Sequence, residues 1–248
     1  MASEPPLAGH PEPAAERSLP QVVDRNFGGP AIVDDLEGLG AQEVIAEALD
    51  RWHPSLTFAC SFQKEEAVIL HMATEVRPDI KVFALDTEVL FEETYETWKA
   101  FEERFGIAIE PYRGITLGEQ AERYGEALWT REPDRCCGLR KIEPLGRALA
   151  GQDAWVTGIR RDQAPTRANA RKLEWDAGHD LHKLNPLADW TERDVWTWIA
   201  KHDLPYNPLH DAGYSSIGCV HCTLPGEGRE GRWAGSGKLE CGLHRAGS

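Results

Sequence analysis

Five of the six cysteines in this 248-residue chain stand in arrangements that could carry chemistry. Cys136 and Cys137 are adjacent, Cys219 and Cys222 form a CxxC pair, and Cys241 lies alone near the C-terminus. Four thiolates can hold an iron–sulfur cluster, whereas structural zinc sites use ligands spaced by two to four residues. An adjacent pair suits zinc poorly because neighbouring side chains diverge. The two pairs therefore favour an iron–sulfur cluster over zinc, and over plain thiols or a disulfide.

Cys241 stands in a short polar segment, Glu240-Cys241-Gly242-Leu243-His244. A thiolate is a strong nucleophile, and nearby cations lower the pKa of a thiol. His244 is close in sequence, Arg229 and Arg232 precede the segment, and Gly242 gives its backbone freedom to move. We interpret Cys241 as a nucleophile on a mobile tail, with an incidental surface cysteine as the alternative.

The charge is unevenly distributed. A formal net charge of −14 argues against general nucleic-acid binding, which requires a basic surface. Within this acidic chain, one stretch of about forty residues is rich in arginine and lysine, a composition that suits a small anionic ligand. The alternative is an ordinary solvated basic face. The residues of this stretch are Arg131, Arg135, Arg140, Lys141, Arg147, Arg160, Arg161, Arg167, Arg171 and Lys172.

Strand and helix patterns alternate along the chain and predict an α/β fold, with a mostly parallel sheet and helices on both faces. An amphipathic pattern over 41–49 opens the series, and a capping box at 191–194 predicts a late helix. Ligands bind beyond the carboxyl ends of strands in such sheets. The predicted strands are 56–60, 81–85, 107–109 and 154–157, a helix covers 92–105, and the ligand-facing loops are 61–66, 86–89 and 158–171.

Composition divides the chain into three parts. Residues 1–25 are interpreted as a disordered tail, 26–228 as one α/β domain with the cluster site, and 229–248 as a mobile tail carrying the catalytic cysteine. From residue 207 onward, glycine, proline and charge predominate, and a metal cluster would staple this segment. The sequence contains no run of apolar residues long enough for a membrane span and no secretory signal. We therefore expect a cytoplasmic protein, and the sequence leaves open whether it forms a homo-oligomer.

Several segments together resemble the thioredoxin-dependent, assimilatory adenylyl-sulfate (APS) reductases, and the similarity extends from about residue 55 to 244. The combination of an adjacent cysteine pair, a CxxC pair and a terminal ECGLH is highly specific. The matching segments are Leu85-Asp86-Thr87, Cys136-Cys137-Gly138-Leu139-Arg140-Lys141, the stretch 155–168, Asn185-Pro186-Leu187, Ser216-Ile217-Gly218-Cys219-Val220-His221-Cys222, Gly231-Arg232-Trp233 and Glu240-Cys241-Gly242-Leu243-His244.

The resemblance implies an adenine-nucleotide α-hydrolase-like (Rossmann-like) sheet with a cysteine-stapled C-terminal segment. It implies that Cys136, Cys137, Cys219 and Cys222 hold a 4Fe–4S cluster that shapes the site rather than passing electrons. Cys241 would attack the sulfur of APS, expel AMP and become an S-sulfocysteine, from which thioredoxin would release sulfite. The substrate-binding residues would be Arg229 and Arg232 at the sulfate end, Lys141 near both cluster and substrate, and Arg160, Arg161 and Arg167 at the phosphate. Ser61, Asp86, Thr87 and Gly158 would surround the nucleoside, and His244 would help orient the tail over the ligand.

Two residues depart from the pattern of many relatives. Lys64 stands in the first loop, where it either contacts phosphate or points to solvent. Glu88 follows Thr87 and must point away from an anionic ligand or pair with an arginine.

Three other functions remain as alternatives. One is a reductase of 3′-phosphorylated APS (PAPS), or of both substrates, although such relatives usually lack the two cysteine pairs. Another is an ATP-using tRNA thiolase, which would need a glycine-rich loop and a basic RNA surface. The third is a non-enzymatic module stapled by zinc, which would leave Cys241 and the arginines unexplained.

Overall fold

The computed structural model describes residues 36–233, together with 238, 240, 242 and 243. Its described residues form a six-stranded sheet in the order β3-β2-β1-β4-β6-β5, flanked by helices. The strands are β1 Leu56–Cys60, β2 Lys81–Leu85, β3 Ile109–Tyr112, β4 Ala154–Val156, β5 Leu173–Asp176 and β6 Leu181–Leu184. The helices are α1 Ala41–Trp52, α2 Lys64–Val76, α3 Glu92–Phe105, α4 Leu117–Tyr124, α5 Leu128–Arg131, α6 Pro133–Cys137, α7 Glu143–Leu149 and α8 Glu192–His202.

The strand order reverses at the centre of the sheet. β1 pairs in parallel with β2 on one side and with β4 on the other, and only β5 runs antiparallel, against β6. A crevice opens beyond the carboxyl ends of the strands where the order of a parallel sheet reverses. The loops after β1 and β4 therefore face one crevice, and the predicted α/β fold is confirmed.

Alternate residues of the central strands point to opposite faces, and helices cover both. Phe58, Val82 and Val156 belong to the core that includes α1, α2, α3 and α8. Phe83 and Trp155, which point the other way, pack with residues of α7 in a second core. Because both faces are covered, the central strands are apolar along nearly their whole length, as in other buried parallel sheets.

The sequence-based elements needed four corrections, of which the smallest is that β4 ends at Val156 rather than at 157. β3 begins at Ile109 rather than at 107 and runs through Pro111, which is tolerated because β3 lies at the edge of the sheet. Helix α2 begins at Lys64, so the loop after β1 ends at residue 63. The β5–β6 hairpin was not predicted. The capping box at Thr191 is confirmed, since its hydroxyl accepts the N–H of Asp194 at the start of α8.

Residues 207–233 contain only short turns and isolated bridges, yet they are attached to the sheet. Leu90 forms an antiparallel bridge with Cys219, and Val220 donates its N–H to the carbonyl of Val89 at 2.9 Å. Nζ of Lys64 donates to the carbonyl of Ser215 at 3.2 Å. These contacts hold the CxxC segment next to the loop that follows β2. Among the described residues there is no helix with the length and apolar character needed to cross a membrane.

Candidate active site

The four cysteines of the two pairs line one cavity. Cys136 and Cys137 end α6, where the chain passes into a π-helical turn, a distortion that is frequent at functional sites. Cys219 and Cys222 bracket a 3₁₀ turn on the opposite wall. All four are free thiols. The fold thus brings together two pairs that are far apart in the sequence.

Burial and crowding raise the pKa of the Cys136 and Cys222 thiols. Burial, followed by the nearby Cys137 and Cys219 thiols, raises the pKa of Cys136 to about 11. Burial also opposes ionisation of Cys219, but Lys141 and the Thr87 hydroxyl lower its pKa below the ordinary value. In the described part of the chain, no three Cys, His, Asp or Glu side chains converge on one metal-ion position. A cationic group that spans the cavity would let several thiolates coexist.

Two consecutive basic residues border the cysteine cavity. Arg140 is 2% exposed, donates from Nε to Gln120 at 2.7 Å and from Nη1 to the Thr87 carbonyl at 2.6 Å, and leaves Nη2 without a hydrogen bond in the described structure. It also pairs with Glu88 at 3.5 Å, one of the two arrangements expected for that carboxylate. Lys141 lines this cavity and a second one as well.

The second cavity lies at the carboxyl ends of β1 and β4, where the strand order reverses. Apolar side chains such as Phe83, Leu145 and Trp155 form part of its wall. Six of the residues predicted to bind substrate line it: Ser61, Lys141, Gly158, Arg167, Arg229 and Arg232. The shape and the location are those expected for a nucleotide in an α/β sheet.

Cations concentrate in one part of this second cavity. Arg232 is 7% exposed, donates from Nη1 to Ser216 Oγ at 3.2 Å and to the Ile217 carbonyl at 3.0 Å, and lies over the Trp233 ring at 4.6 Å. A Cβ at Gly218 would come within 2.4 Å of its guanidinium, so the glycine makes room for the arginine. Arginines fixed in this way suit the binding of sulfate or phosphate oxygens.

Carboxyl groups border another part of the same cavity. The Glu66 carboxyl accepts hydrogen bonds from Ser61 Oγ at 3.1 Å and from the Gln63 N–H at 3.0 Å. Burial, followed by the charge of Glu65, raises its pKa to about 8. A Cβ at Gly158 would lie 2.5 Å from Glu66 Oε1 and 2.9 Å from Glu65 Cβ. Only glycine fits here, because the side chains at the start of α2 occupy the space that a Cβ would need.

Four residues predicted to bind substrate do not line the cavity. Asp86 is buried and binds Arg113 at 2.8 Å and the Tyr95 hydroxyl at 2.8 Å. Thr87 is also buried, and its hydroxyl lies 3.3 Å from Cys219 Sγ. The contacts of these two residues stabilise the loop after β2, although neither residue lines the cavity.

The other two are Arg160 and Arg161, whose guanidiniums bind carboxylates and carbonyls of the protein. Arg160 is 3% exposed and donates from Nε to Glu65 at 3.0 Å. Arg161 pairs with Glu37 and donates to the Ala170 carbonyl at 2.7 Å. Lys64, for which a phosphate contact or a solvent position was expected, has neither, because it is buried against Glu192 at 3.0 Å.

Two predicted residues, Cys241 and His244, lie outside the described residues, as do 1–25. Four residues near the two cavities were not assigned a role from the sequence: Arg140, Gln163, Glu66 and Glu240. Arg140 could have been found, because it directly precedes Lys141 in the CCGLRK segment. Glu66 carried no such signal, because its position depends on Gly158, which follows β4 and is distant in the sequence.

Comparison with known proteins agrees with this geometry. The family model described as the phosphoadenosine phosphosulfate reductase domain matches residues 55–225. Adenosine 5′-phosphosulfate reductase of Bacillus mycoides is 47% identical over 214 residues, covering 84% of this chain and 92% of the relative. The protein of the same name from Salinibacter ruber is 44% identical over 220 residues, covering 86% and 87%.

Two solved structures share the fold. A phosphoadenylyl-sulfate (PAPS) reductase from Candida auris, in a phosphate complex, matches with a TM-score of 0.69 and 30% identity, covering 76% of this chain and 92% of that one. The FMN adenylyltransferase of Candida glabrata matches with a TM-score of 0.56 and 18% identity, covering 75% and 61%, a likeness of fold alone.

The sheet and its crevice define a Rossmann-like α/β enzyme related to adenine-nucleotide-binding proteins. The chain belongs to the phosphoadenosine phosphosulfate reductase family and is an oxidoreductase acting on a sulfur group. The family resemblance inferred from the sequence is confirmed.

Proposed function

We propose that this protein reduces adenosine 5′-phosphosulfate to sulfite and AMP, with reduced thioredoxin as the electron donor, in cytoplasmic sulfate assimilation. The observation that carries the proposal is one cavity at the sheet reversal that combines Lys141, Arg167, Arg229 and Arg232 and adjoins the cysteine cavity through Lys141. Relatives that are 42–47% identical over most of the chain are named adenosine 5′-phosphosulfate reductases.

The nucleoside would lie toward Ser61 and Gly158, which both line the cavity. The phosphosulfate would extend toward Arg229, Arg232 and Lys141. Guanidiniums hold sulfate and phosphate oxygens by paired hydrogen bonds, and they offset the repulsion between those oxygens and an incoming thiolate.

The reaction would proceed in two displacements. The Cys241 thiolate attacks the sulfate sulfur, a sulfur–sulfur bond forms, and the bond to the phosphate oxygen breaks with its electron pair leaving on AMP. A thioredoxin thiolate then attacks Cys241 Sγ, and sulfite departs with the electron pair of the broken sulfur–sulfur bond. The second thioredoxin thiol resolves the mixed disulfide, so thioredoxin is oxidised and the Cys241 thiol is restored.

Cys136, Cys137, Cys219 and Cys222 would hold a 4Fe–4S cluster. The four cysteine thiols support this assignment by their number and type. Because they line a cavity, a cluster of several iron ions suits them better than a single zinc ion does. The cluster would supply positive charge for the thiolates and would link α6 to the 219–222 turn. Lys141, which lowers the pKa of Cys219, would join this site to the substrate.

The alternative is a PAPS reductase or an enzyme that accepts both substrates. It is favoured by the match to the Candida auris protein, which is named a PAPS reductase. The additional phosphate of PAPS would require further cations, and Arg160 and Arg161 are already engaged by carboxylates of the protein.

The test is sulfite release by anaerobically purified protein with reduced thioredoxin, offered APS and PAPS separately. We expect release from APS, and no release by Cys241→Ser, which should keep its iron. Glu122→Gln, which changes an exposed residue of α4 that lines neither cavity, should retain both activity and iron. An iron-loaded protein that releases no sulfite from either nucleotide would contradict the proposal, and release from PAPS alone would establish the alternative.

A further inference from the structure

One carboxylate of the C-terminal segment binds to the arginines of the substrate cavity. Arg167 forms a two-point contact with Glu240, from Nε to Oε1 at 3.0 Å and from Nη2 to Oε2 at 3.1 Å. Arg229 donates from Nη2 to Oε2 at 2.8 Å. The Thr166 hydroxyl adds a fourth hydrogen bond at 3.2 Å. Four donors from three residues thus converge on a side chain that is 20% exposed.

This arrangement is the one that guanidiniums offer to an oxyanion. Arginine binds carboxylate, phosphate and sulfate through the same paired N–H groups. Burial opposes ionisation of Glu240, but Arg167 and Arg229 outweigh it and lower the pKa of the carboxyl below its ordinary value. A charged carboxylate therefore occupies donors that line the cavity and that an anionic ester would need.

Neighbouring residues show that the segment is attached by more than one contact. Leu243 lines the same cavity and packs against the core of Phe83, Leu145 and Trp155. Lys238 binds Asp134 at 2.6 Å. The apolar contact of Leu243 does not involve the arginines, so loss of the Glu240 contact would loosen one point of attachment and leave the others.

We infer that Glu240 is an internal anion that competes with the phosphosulfate of the substrate for Arg167 and Arg229. Substrate binding then requires the carboxylate to leave, and the residue next to Glu240 in the sequence is Cys241. Occupation of the arginines by substrate is thereby coupled to loss of one of the contacts that hold this segment. This inference rests on the proposed function, since it takes the ligand of the arginines to be APS.

The binding test uses the Cys241→Ser protein, in which no thiol consumes APS. Adding Glu240→Gln removes the competing charge, whereas adding Glu230→Gln removes an exposed charge from the same region and serves as the control. We expect Glu240→Gln to tighten APS binding by about threefold to tenfold, the effect of a partly exposed ion pair, and Glu230→Gln to leave it unchanged. Calorimetry measures both.

Calorimetry with AMP gives a second readout in the protein with its natural Cys241. AMP should bind more tightly to Glu240→Gln than to the unmodified protein, and equally well to Glu230→Gln. Equal or weaker APS binding by Glu240→Gln would overturn the inference while leaving the proposed function standing. Failure of every variant to bind APS would instead refute the proposed function.

Discussion

Glu66 is a carboxyl group whose ionisation the fold strongly opposes. It is 7% exposed, lines the second cavity, at the carboxyl ends of β1 and β4 (here the nucleotide cavity), and receives two hydrogen bonds. Burial and the charge of Glu65 raise its pKa from 4.5 to about 8. At neutral pH its protonated carboxyl can therefore donate a hydrogen bond as well as accept one. A neutral carboxyl on the cavity wall repels a nearby anionic nucleotide less than a carboxylate would.

The raised pKa of Glu66 predicts a specific pH dependence of stability. Between pH 4.5 and 8 the folded protein keeps a proton that the unfolded chain has lost, so this group reduces the free energy of unfolding as pH rises, with no further loss above pH 8. Glu66→Gln should remove this decline and gain on the order of a few kcal/mol relative to the unmodified protein at pH 8. Urea unfolding from pH 5 to 8.5 measures the difference. Identical pH profiles would refute it, with exposed Glu122→Gln as the control.

At the scale of elements, Lys64 connects the start of α2 to two distant parts of the chain. Its Nζ binds Glu192 at the start of α8 and the Ser215 carbonyl, and it lies 5.7 Å from the Trp196 ring. Lys64 does not line the nucleotide cavity. Its role in this structure is to hold elements together.

Lys64→Met should therefore affect stability more than ligand binding. We expect the free energy of unfolding to fall by about 1–3 kcal/mol, because the Ser215 carbonyl and the Glu192 carboxylate lose their buried partner. The dissociation constant for APS should stay within about twofold, a change of less than 1 kcal/mol. Exposed Lys99→Met on α3 is the control. A large loss of APS affinity with unchanged stability would show instead that Lys64 contacts phosphate.

The elements also show what the sequence could and could not predict. The apolar runs of β1, β2 and β4 are buried on both faces and were readily recognised. The β5–β6 hairpin was missed because its residues mix charge and hydrophobicity, as Leu181-His182-Lys183-Leu184 shows. Arg160 looked like a ligand for phosphate because a sequence shows a charge but not its partner. That partner, Glu65, comes from α2. The cysteine pairs were easier to interpret from the sequence than Arg160, because cysteine side chains allow only a few kinds of chemistry.

At the scale of the whole molecule, the described residues form a packed α/β body and a segment, 207–233, that lies against it. Residues 36–204 supply the main core, whereas 207–233 contain no long helix or strand and are held by 3₁₀ turns, isolated bridges and hydrogen bonds to the body such as that of Lys64 to Ser215. Iron chelation should therefore loosen the segment first. Limited proteolysis should cut within 207–233 after chelation and leave a resistant body, while iron-loaded protein and iron-loaded Glu122→Gln stay uncut there. Simultaneous digestion of body and segment would contradict this division.

The reversal of strand order also determines when the crevice can form during synthesis of the chain. β1 pairs with β4, which is made only after six helices (α2 to α7) and two strands (β2 and β3) have followed β1, so the crevice at the sheet reversal cannot close on a nascent chain that stops before residue 156. The CxxC pair leaves the ribosome later still. Chains grow at about 5–20 residues per second, so the first cysteine pair waits several seconds for the second. With the proposed cluster, iron delivery would be a late event in the life of each molecule, and a shortage of iron would leave polypeptides whose sheet is already folded.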